Sequence, residues 1–150
     1  NFTASFAKRL DQYSQIPIKE AEAGDIVNNN SGYLGKGGYH LLLRQSNNDI
    51  RIRLSTKPEM LFVPSVNVMM EAVLEVFGKN TVGVLLTGMG DDGADAMLKI
   101  KRAGGITIAE SEETAIVFGM PREAIERGGA DIVVPSYKVA EEIVKAVRSL

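Results

Sequence analysis

Residues 82–93 read Val-Gly-Val-Leu-Leu-Thr-Gly-Met-Gly-Asp-Asp-Gly, and this stretch decides the fold. An apolar strand over 82–86 gives way to a glycine-rich turn, and a helix is predicted to begin near Ala94. Two adjacent carboxylates, Asp91 and Asp92, lie where the strand becomes a helix. In an open parallel sheet, ligands bind in the crevice beyond the carboxyl ends of the strands. The turn is therefore the first candidate for a functional site.

The alternation of strand and helix continues from this turn to the end of the chain. The apolar strands carry no polar alternation, which is typical of parallel strands buried on both faces. We predict an α/β fold with a doubly wound, mostly parallel sheet. The predicted elements are a helix at 65–77 capped by Ser65, strands at 82–86, 106–109 and 131–134, and helices at 93–103, 121–127 and 136–148.

The first 64 residues follow a different pattern. Thr3 is a candidate N-cap for a first helix, and a short strand with an edge proline is predicted at 16–21. Residues 24–38 are rich in turn formers. Alternating residues at 39–44 and 50–54 predict a β-hairpin, which we expect as an antiparallel appendage to the parallel sheet.

Composition excludes several classes of protein. The chain has 150 residues, a net charge of −2, no cysteine and no basic run of five or more residues. Disulfide frameworks, cysteine nucleophiles and a nucleic-acid surface are therefore not expected. No apolar stretch approaches the ~20 residues of a membrane span, and the first residues do not resemble a signal peptide. One cytoplasmic domain without membrane insertion is the prediction.

The turn suggests a dinucleotide site and a Mg²⁺ site, and neither is favoured. Residues 88–93 fit the dinucleotide pattern G-x-G-x-x-G, and Glu110 ends the next strand, where a ribose-binding acid would sit. Acids in the loop would repel a pyrophosphate, however, because that group binds bare amides at a helix N-terminus. Asp91, Asp92 and Asp95 could hold Mg²⁺, but a single acidic cluster is a weak metal signal. We expect neither a cofactor nor a metal.

Each of the other residues of interest has a functional interpretation and a simpler structural one. Helix capping accounts for one carboxylate of the Asp91–Asp92 pair, and the other is well placed to orient a histidine. His40, the only histidine, lies in a predicted strand, where a structural role is the commoner one. Met89 is either a plug in the turn or a residue whose amide faces a substrate. Arg122 could bind an acidic partner, although an arginine in a first helical turn is more often only solvated.

Several ordered motifs resemble one family. Residues 86–93 (Leu-Thr-Gly-Met-Gly-Asp-Asp-Gly), 103–105 (Ala-Gly-Gly) and 117–124 (Val-Phe-Gly-Met-Pro-Arg-Glu-Ala) are similar to the catalytic domain of the CheB chemotaxis methylesterases. Residues 2–10 fit that family's first long helix. The resemblance implies hydrolysis of glutamate γ-methyl esters on chemoreceptor signalling helices, and deamidation of receptor glutamines, by a Ser-His-Asp triad.

The same resemblance assigns roles to residues of the turn. It implies that Asp92 is the acid of the triad and that Met89, between Gly88 and Gly90, supplies a backbone N–H to the oxyanion site. The family's serine and histidine precede the residues that match Asn1, so residues 1–150 are expected to be a partial catalytic domain without its first strands, inactive alone. A receiver domain is expected upstream.

Two other functions stay open at this point. The chain could be a non-catalytic fragment that binds receptor helices or a regulatory domain, because one triad member of three lies within it. An NAD(P)-binding enzyme is the third interpretation, through the G-x-G-x-x-G run at 88–93.

Overall fold

The computed structural model describes residues 2–150, which divide into a unit ending at Met69 and a second unit from Met70 to Leu150. In the first unit, β3 and β4 pair antiparallel, with His40 opposite Ser55 and Gln45 opposite Ile50. The predicted hairpin is therefore confirmed. The elements of this unit are α1 (Phe2–Tyr13), β1 (Ile18–Glu20), β2 (Gly32–Leu34), β3 (His40–Gln45) and β4 (Ile50–Ser55).

β2 is a strand that the sequence pattern does not predict. It pairs in parallel with β1 inside the stretch that reads as turns. The Gly32 N–H donates to the Pro17 carbonyl at 2.9 Å, and the Ala21 N–H donates to the Leu34 carbonyl at 2.8 Å. A strand of three half-buried residues shows no alternation that could identify it.

The predicted helix cap at Thr3 is wrong, because Thr3 lies inside α1. Its hydroxyl donates to the Glu20 carboxylate on β1 and accepts the Gly37 N–H at 3.1 Å. The side chain thus connects α1 to segments that are distant in sequence.

His40 is fully buried at the start of β3. Its Nδ1 accepts the Ser65 N–H at 3.1 Å, so the ring proton is assigned to Nε2, which donates to the Pro58 carbonyl at 2.8 Å. Both ring nitrogens hold backbone of the first unit. This arrangement fits the structural role expected for a lone strand histidine.

The second unit contains the predicted parallel sheet, in the order β5-β6-β7. The Ser65 hydroxyl accepts the Val68 N–H at 3.4 Å, as expected of a cap for α2. A short 3₁₀ turn, Gly78–Asn80, follows α2. The division at Met69 falls within α2 (Val66–Phe77). The later elements are β5 (Val82–Leu85), α3 (Ala94–Arg102), β6 (Ile106–Glu110), α4 (Met120–Glu126), β7 (Ile132–Val134) and α5 (Ser136–Ser149).

The core of this unit lies between α3 and the sheet. Ile108 of β6 and Met97 and Ile100 of α3 are fully buried, and each such side chain contributes about 1.5–3 kcal/mol. A Cβ at Gly83 of β5 would lie 2.9 Å from the Ile100 Cδ1, so the helix packs closely on the strand. This packing fixes the ends of β5 and α3 between which the connecting turn lies. No helix within residues 2–150 has the length and apolarity to cross a membrane.

Candidate active site

The acidic turn, residues 86–93, joins the end of β5 to the start of α3. Gly90 and Gly93 have φ angles of +96° and +95°. Residues that carry a Cβ adopt this backbone conformation only with strain. Two of the glycines in the sequence motif are therefore required by the backbone path. They bring Asp91 and Asp92 to the carboxyl end of the sheet, as the sequence predicts.

The acidic turn is held by the segment that precedes α4. The Thr87 hydroxyl donates to the Val117 carbonyl at 3.2 Å and accepts the Val117 N–H at 2.8 Å. The Gly88 N–H also donates to the Val117 carbonyl, at 3.0 Å. The Gly88 carbonyl in turn accepts the N–H groups of Gly119 at 3.1 Å and Met120 at 2.8 Å. These bonds fix the turn from both sides of Gly88.

A buried carboxylate at the end of β6 supports the same turn. Glu110 accepts the Thr87 N–H at 2.8 Å through Oε1 and the Thr114 hydroxyl at 2.8 Å through Oε2. The Thr114 hydroxyl oxygen accepts the Ser136 N–H at 2.8 Å, at the start of α5. Both oxygens of Glu110 thus hold protein groups, which removes the ribose-binding acid that the NAD(P) interpretation required.

Replacing Glu110 with Ala is expected to lower the free energy of unfolding by about 1.5–3 kcal/mol, because it removes the charged acceptor of the part-buried Thr87 N–H and of the Thr114 hydroxyl. Glu110→Gln keeps an acceptor for that N–H and is expected to cost less than about 1.5 kcal/mol. Urea denaturation of both variants checks this. Equal losses for Ala and Gln would show that the hydrogen bonds at Glu110 do not carry the stabilisation.

Three acids around the turn converge on one arginine that the sequence analysis does not single out. Arg127, just after α4, contacts Asp91 at 3.0 Å, Asp95 at 2.9 Å and Glu123 at 3.1 Å. The hydrogen bond that the Arg127 guanidinium donates to Asp91, followed by those that it donates to Asp95 and Glu123, raises its pKa. We call these four residues the Arg127 cluster.

The Arg127 cluster gives two of the acids near the turn a partner. The Asp91 side chain binds an arginine, and Asp95, another of the three acids considered as Mg²⁺ ligands, binds the same arginine. Only Glu123, one helical turn before Arg127, was close enough in sequence to suggest a partner for it. Within residues 2–150, no three metal-ligating side chains come together as an ion site.

Asp92 and Met89 occupy different environments in the acidic turn. Asp92 is half-buried, two residues before α3 begins. Met89 is 82% exposed, and within residues 2–150 neither its N–H nor that of Gly90 donates a hydrogen bond to another backbone group. The Gly88 N–H differs, because it donates to the Val117 carbonyl. Of the three predicted oxyanion-site residues, Met89 and Gly90 have available donors.

A cleft opens between the acidic turn and the first turn of α4. Its volume is about 480 Å³, within the range of about 300–1,000 Å³ that small-molecule and side-chain sites occupy. We call it the Met89 cleft. Its walls combine exposed backbone with charged side chains, and the lining residues are Met89, Gly90, Asp91, Gly119, Arg122 and Glu123.

The sequence matches the family described as CheB methylesterase over residues 1–143. The chain belongs to the CheB methylesterase family. The family resemblance drawn from the motifs at 86–93 and 117–124 is therefore confirmed.

Curated CheB relatives are similar over almost the whole chain. A protein-glutamate methylesterase/protein-glutamine glutaminase of Syntrophomonas wolfei is 59% identical over 148 residues, which cover 98% of this chain and 42% of the relative. A protein of the same name from Caldanaerobacter subterraneus is 52% identical over 150 residues, covering 97% of this chain and 41% of the relative. The chain thus spans about two fifths of the length of these CheB proteins.

A solved CheB structure has the same fold. The catalytic domain of the Thermotoga maritima CheB methylesterase matches with a TM-score of 0.92 at 38% identity, over 100% of this chain and 78% of that structure. This match confirms the α/β fold with a parallel sheet and a separate antiparallel hairpin.

Proposed function

We propose that this chain forms the greater part of a methylesterase catalytic domain that hydrolyses glutamate γ-methyl esters on chemoreceptors and deamidates receptor glutamines. The observation that carries the proposal is the pairing of a half-buried acid with available amide donors in one turn, at the carboxyl end of a parallel sheet. The names of the relatives, protein-glutamate methylesterase and protein-glutamine glutaminase, support the substrate class.

The proposed mechanism uses Asp92 as the third member of a Ser-His-Asp triad. Its carboxylate accepts a ring N–H of the histidine, fixes the tautomer and stabilises the imidazolium that forms. The histidine takes the proton of the serine hydroxyl while the serine oxygen attacks the ester carbonyl. Methanol leaves with that proton, and water then hydrolyses the acyl-enzyme by the same route. The serine and the histidine come from sequence that precedes Asn1.

The Met89 amide stabilises the tetrahedral intermediate in this proposal. Charge develops on the carbonyl oxygen as the serine adds, and a fixed N–H donor in a partly desolvated site lowers the energy of that state. The hydrogen bonds of Thr87 and Gly88 to Val117 hold this amide in position before substrate binds. The Gly90 N–H is a second available donor in the same turn.

The domain and partner assignments belong to the same proposal. Residues 1–150 form a partial catalytic domain whose first strands, nucleophile and base lie upstream, together with a receiver domain. Relatives more than twice as long as the matched region support this organisation. The proposed partners are the signalling helices of methyl-accepting chemoreceptors, and the proposed location is the cytoplasm.

The test is methanol release from a receptor fragment that carries glutamate γ-methyl esters, with the full-length protein as catalyst. A fluorophosphonate probe, which reacts with activated serines, is expected to label one serine upstream of Asn1 and to abolish methanol release in proportion. Receptor binding without labelling or methanol release would contradict the esterase proposal and favour the non-catalytic alternative.

A further inference from the structure

The charged groups that line the Met89 cleft are not equivalent. Asp91 and Glu123 contribute carboxylates, and Arg122 contributes a guanidinium. Which of them can bind a ligand depends on the contacts that each already makes within the protein.

The two carboxylates of the cleft are already paired. Arg127 contacts Asp91 at 3.0 Å and Glu123 at 3.1 Å, and its own side chain is 32% exposed. Both carboxylates thus lie within hydrogen-bond distance of one guanidinium, which they share with Asp95. This pairing weakens the repulsion that an incoming anion would otherwise meet in the cleft.

Arg122 is bound much less tightly. Within residues 2–150 it forms an ion pair with Glu126, one turn along α4, with the Arg122 Nε 3.9 Å from the Glu126 Oε1. That separation is too long for a hydrogen bond, and the side chain is 55% exposed. A guanidinium has five N–H donors in a planar arrangement that matches a carboxylate. Arg122 therefore has its donors available on the cleft.

Arg122 is also held close to the proposed oxyanion donor. A Cβ at Gly119 would lie 2.8 Å from the Gly88 carbonyl oxygen and 3.1 Å from the Gly90 nitrogen, so the two backbones are in direct contact. Pro121 is fully buried in the first turn of α4. The Arg122 side chain and the Met89 amide thus border one cleft on fixed backbone.

We propose that the Met89 cleft is a subsite for an acidic side chain of the substrate polypeptide, and that Arg122 determines this specificity by binding its carboxylate. The inference rests on the proposed esterase function, because it places the ester carbonyl at the Met89 amide. On a helical substrate, residues three or four positions from the esterified glutamate lie about 5–6 Å from it. A glutamate or aspartate at one of those positions is the group that Arg122 binds.

The test uses the full-length protein and helical peptides with one glutamate γ-methyl ester. A single Glu, Ala or Lys stands three or four positions before or after the ester, and Ala is the neutral reference because it cannot be deamidated. Wild-type protein is expected to show a KM about tenfold lower for Glu than for Ala at one of these positions, with kcat within about twofold. Lys at that position is expected to raise KM further.

Arg122→Met is expected to remove the preference for Glu over Ala, and Arg122→Lys to restore part of it. Arg148→Met, on the exposed last turn of α5, is the matched control and is expected to keep the wild-type preference. The preference of the wild type is also expected to fall with added salt.

Two negative results are distinguishable. A wild-type protein that hydrolyses every peptide with the same KM, or an Arg122→Met variant that keeps the preference for Glu, overturns the subsite and leaves the esterase proposal intact. A wild-type protein that hydrolyses none of the peptides and releases no methanol from a methylated receptor overturns both.

Discussion

Asp92→Asn in the full-length protein is expected to lower kcat for ester hydrolysis by about 10⁴-fold, the loss seen when the acid of a Ser-His-Asp triad becomes an amide. The amide has nearly the same shape as the carboxylate, but it can no longer fix the reactive tautomer of the histidine or stabilise its imidazolium. The rate of methanol release at saturating substrate gives kcat. Thermal unfolding gives the melting temperature, which is expected to change little.

Asp95→Asn is the matched control for this variant. Asp95 lies three residues further along, and its side chain is 66% exposed and paired with Arg127. Its removal takes away the same charge from the same end of α3, and exposed pairs contribute only about 0–1 kcal/mol. We expect kcat within about threefold of wild type. If the two variants lose activity equally, Asp92 contributes only its negative charge near the start of α3 and is not the acid that orients the histidine.

Gly119→Ala is expected to lower kcat/KM by about 10²-fold, because misplacing a catalytic group by about 1 Å has an effect of that size. The new Cβ would meet the Gly88 carbonyl oxygen at 2.8 Å and the Gly90 nitrogen at 3.1 Å. Both are backbone atoms, so the acidic turn that carries Met89 has to move. Overpacking of this kind also costs about 1–3 kcal/mol of stability.

Gly35→Ala provides the control for the Gly119 substitution. A Cβ at Gly35 would have its nearest neighbour at 4.0 Å, on Leu41, and the position needs no positive φ. Its stability is expected to change by less than about 0.5 kcal/mol, and its activity is expected to be that of wild type. Normal kcat/KM in Gly119→Ala would show that the amide positions of the turn tolerate displacement.

The second unit was largely predictable because its signals are local. Apolar runs such as 82–86 and the glycines after them mark the ends of strands and helices without knowledge of the rest of the chain. The acidic turn was located for the same reason. The antiparallel hairpin was found through its alternation and its polar turn. β2 was not, since Gly32–Leu34 is short and half-buried.

The side-chain contacts of the site were less predictable. Thr3 reads as a cap and Glu110 as a ribose-binding acid, because each residue type favours that role locally. Their partners, Glu20 and Thr87, are 17 and 23 positions away in sequence, and no local pattern encodes such pairs. Arg127 was missed for the same reason. The residue pattern indicates that one acid of the Asp91–Asp92 pair could orient a histidine and that the Met89 amide could face a substrate. The choice of Asp92 and the oxyanion role of Met89 come from the family resemblance.

The bonds of Glu110 have a consequence for the order of biosynthesis. The chain is synthesised from its N-terminus, and the acidic turn that contains Thr87 is made well before the residues that hold it in place. Glu110 follows Thr87 by 23 positions. Ser136, whose N–H donates to the Thr114 hydroxyl, follows Glu110 by a further 26 positions. A nascent polypeptide therefore cannot complete this centre until residues as far as Ser136 have left the ribosome.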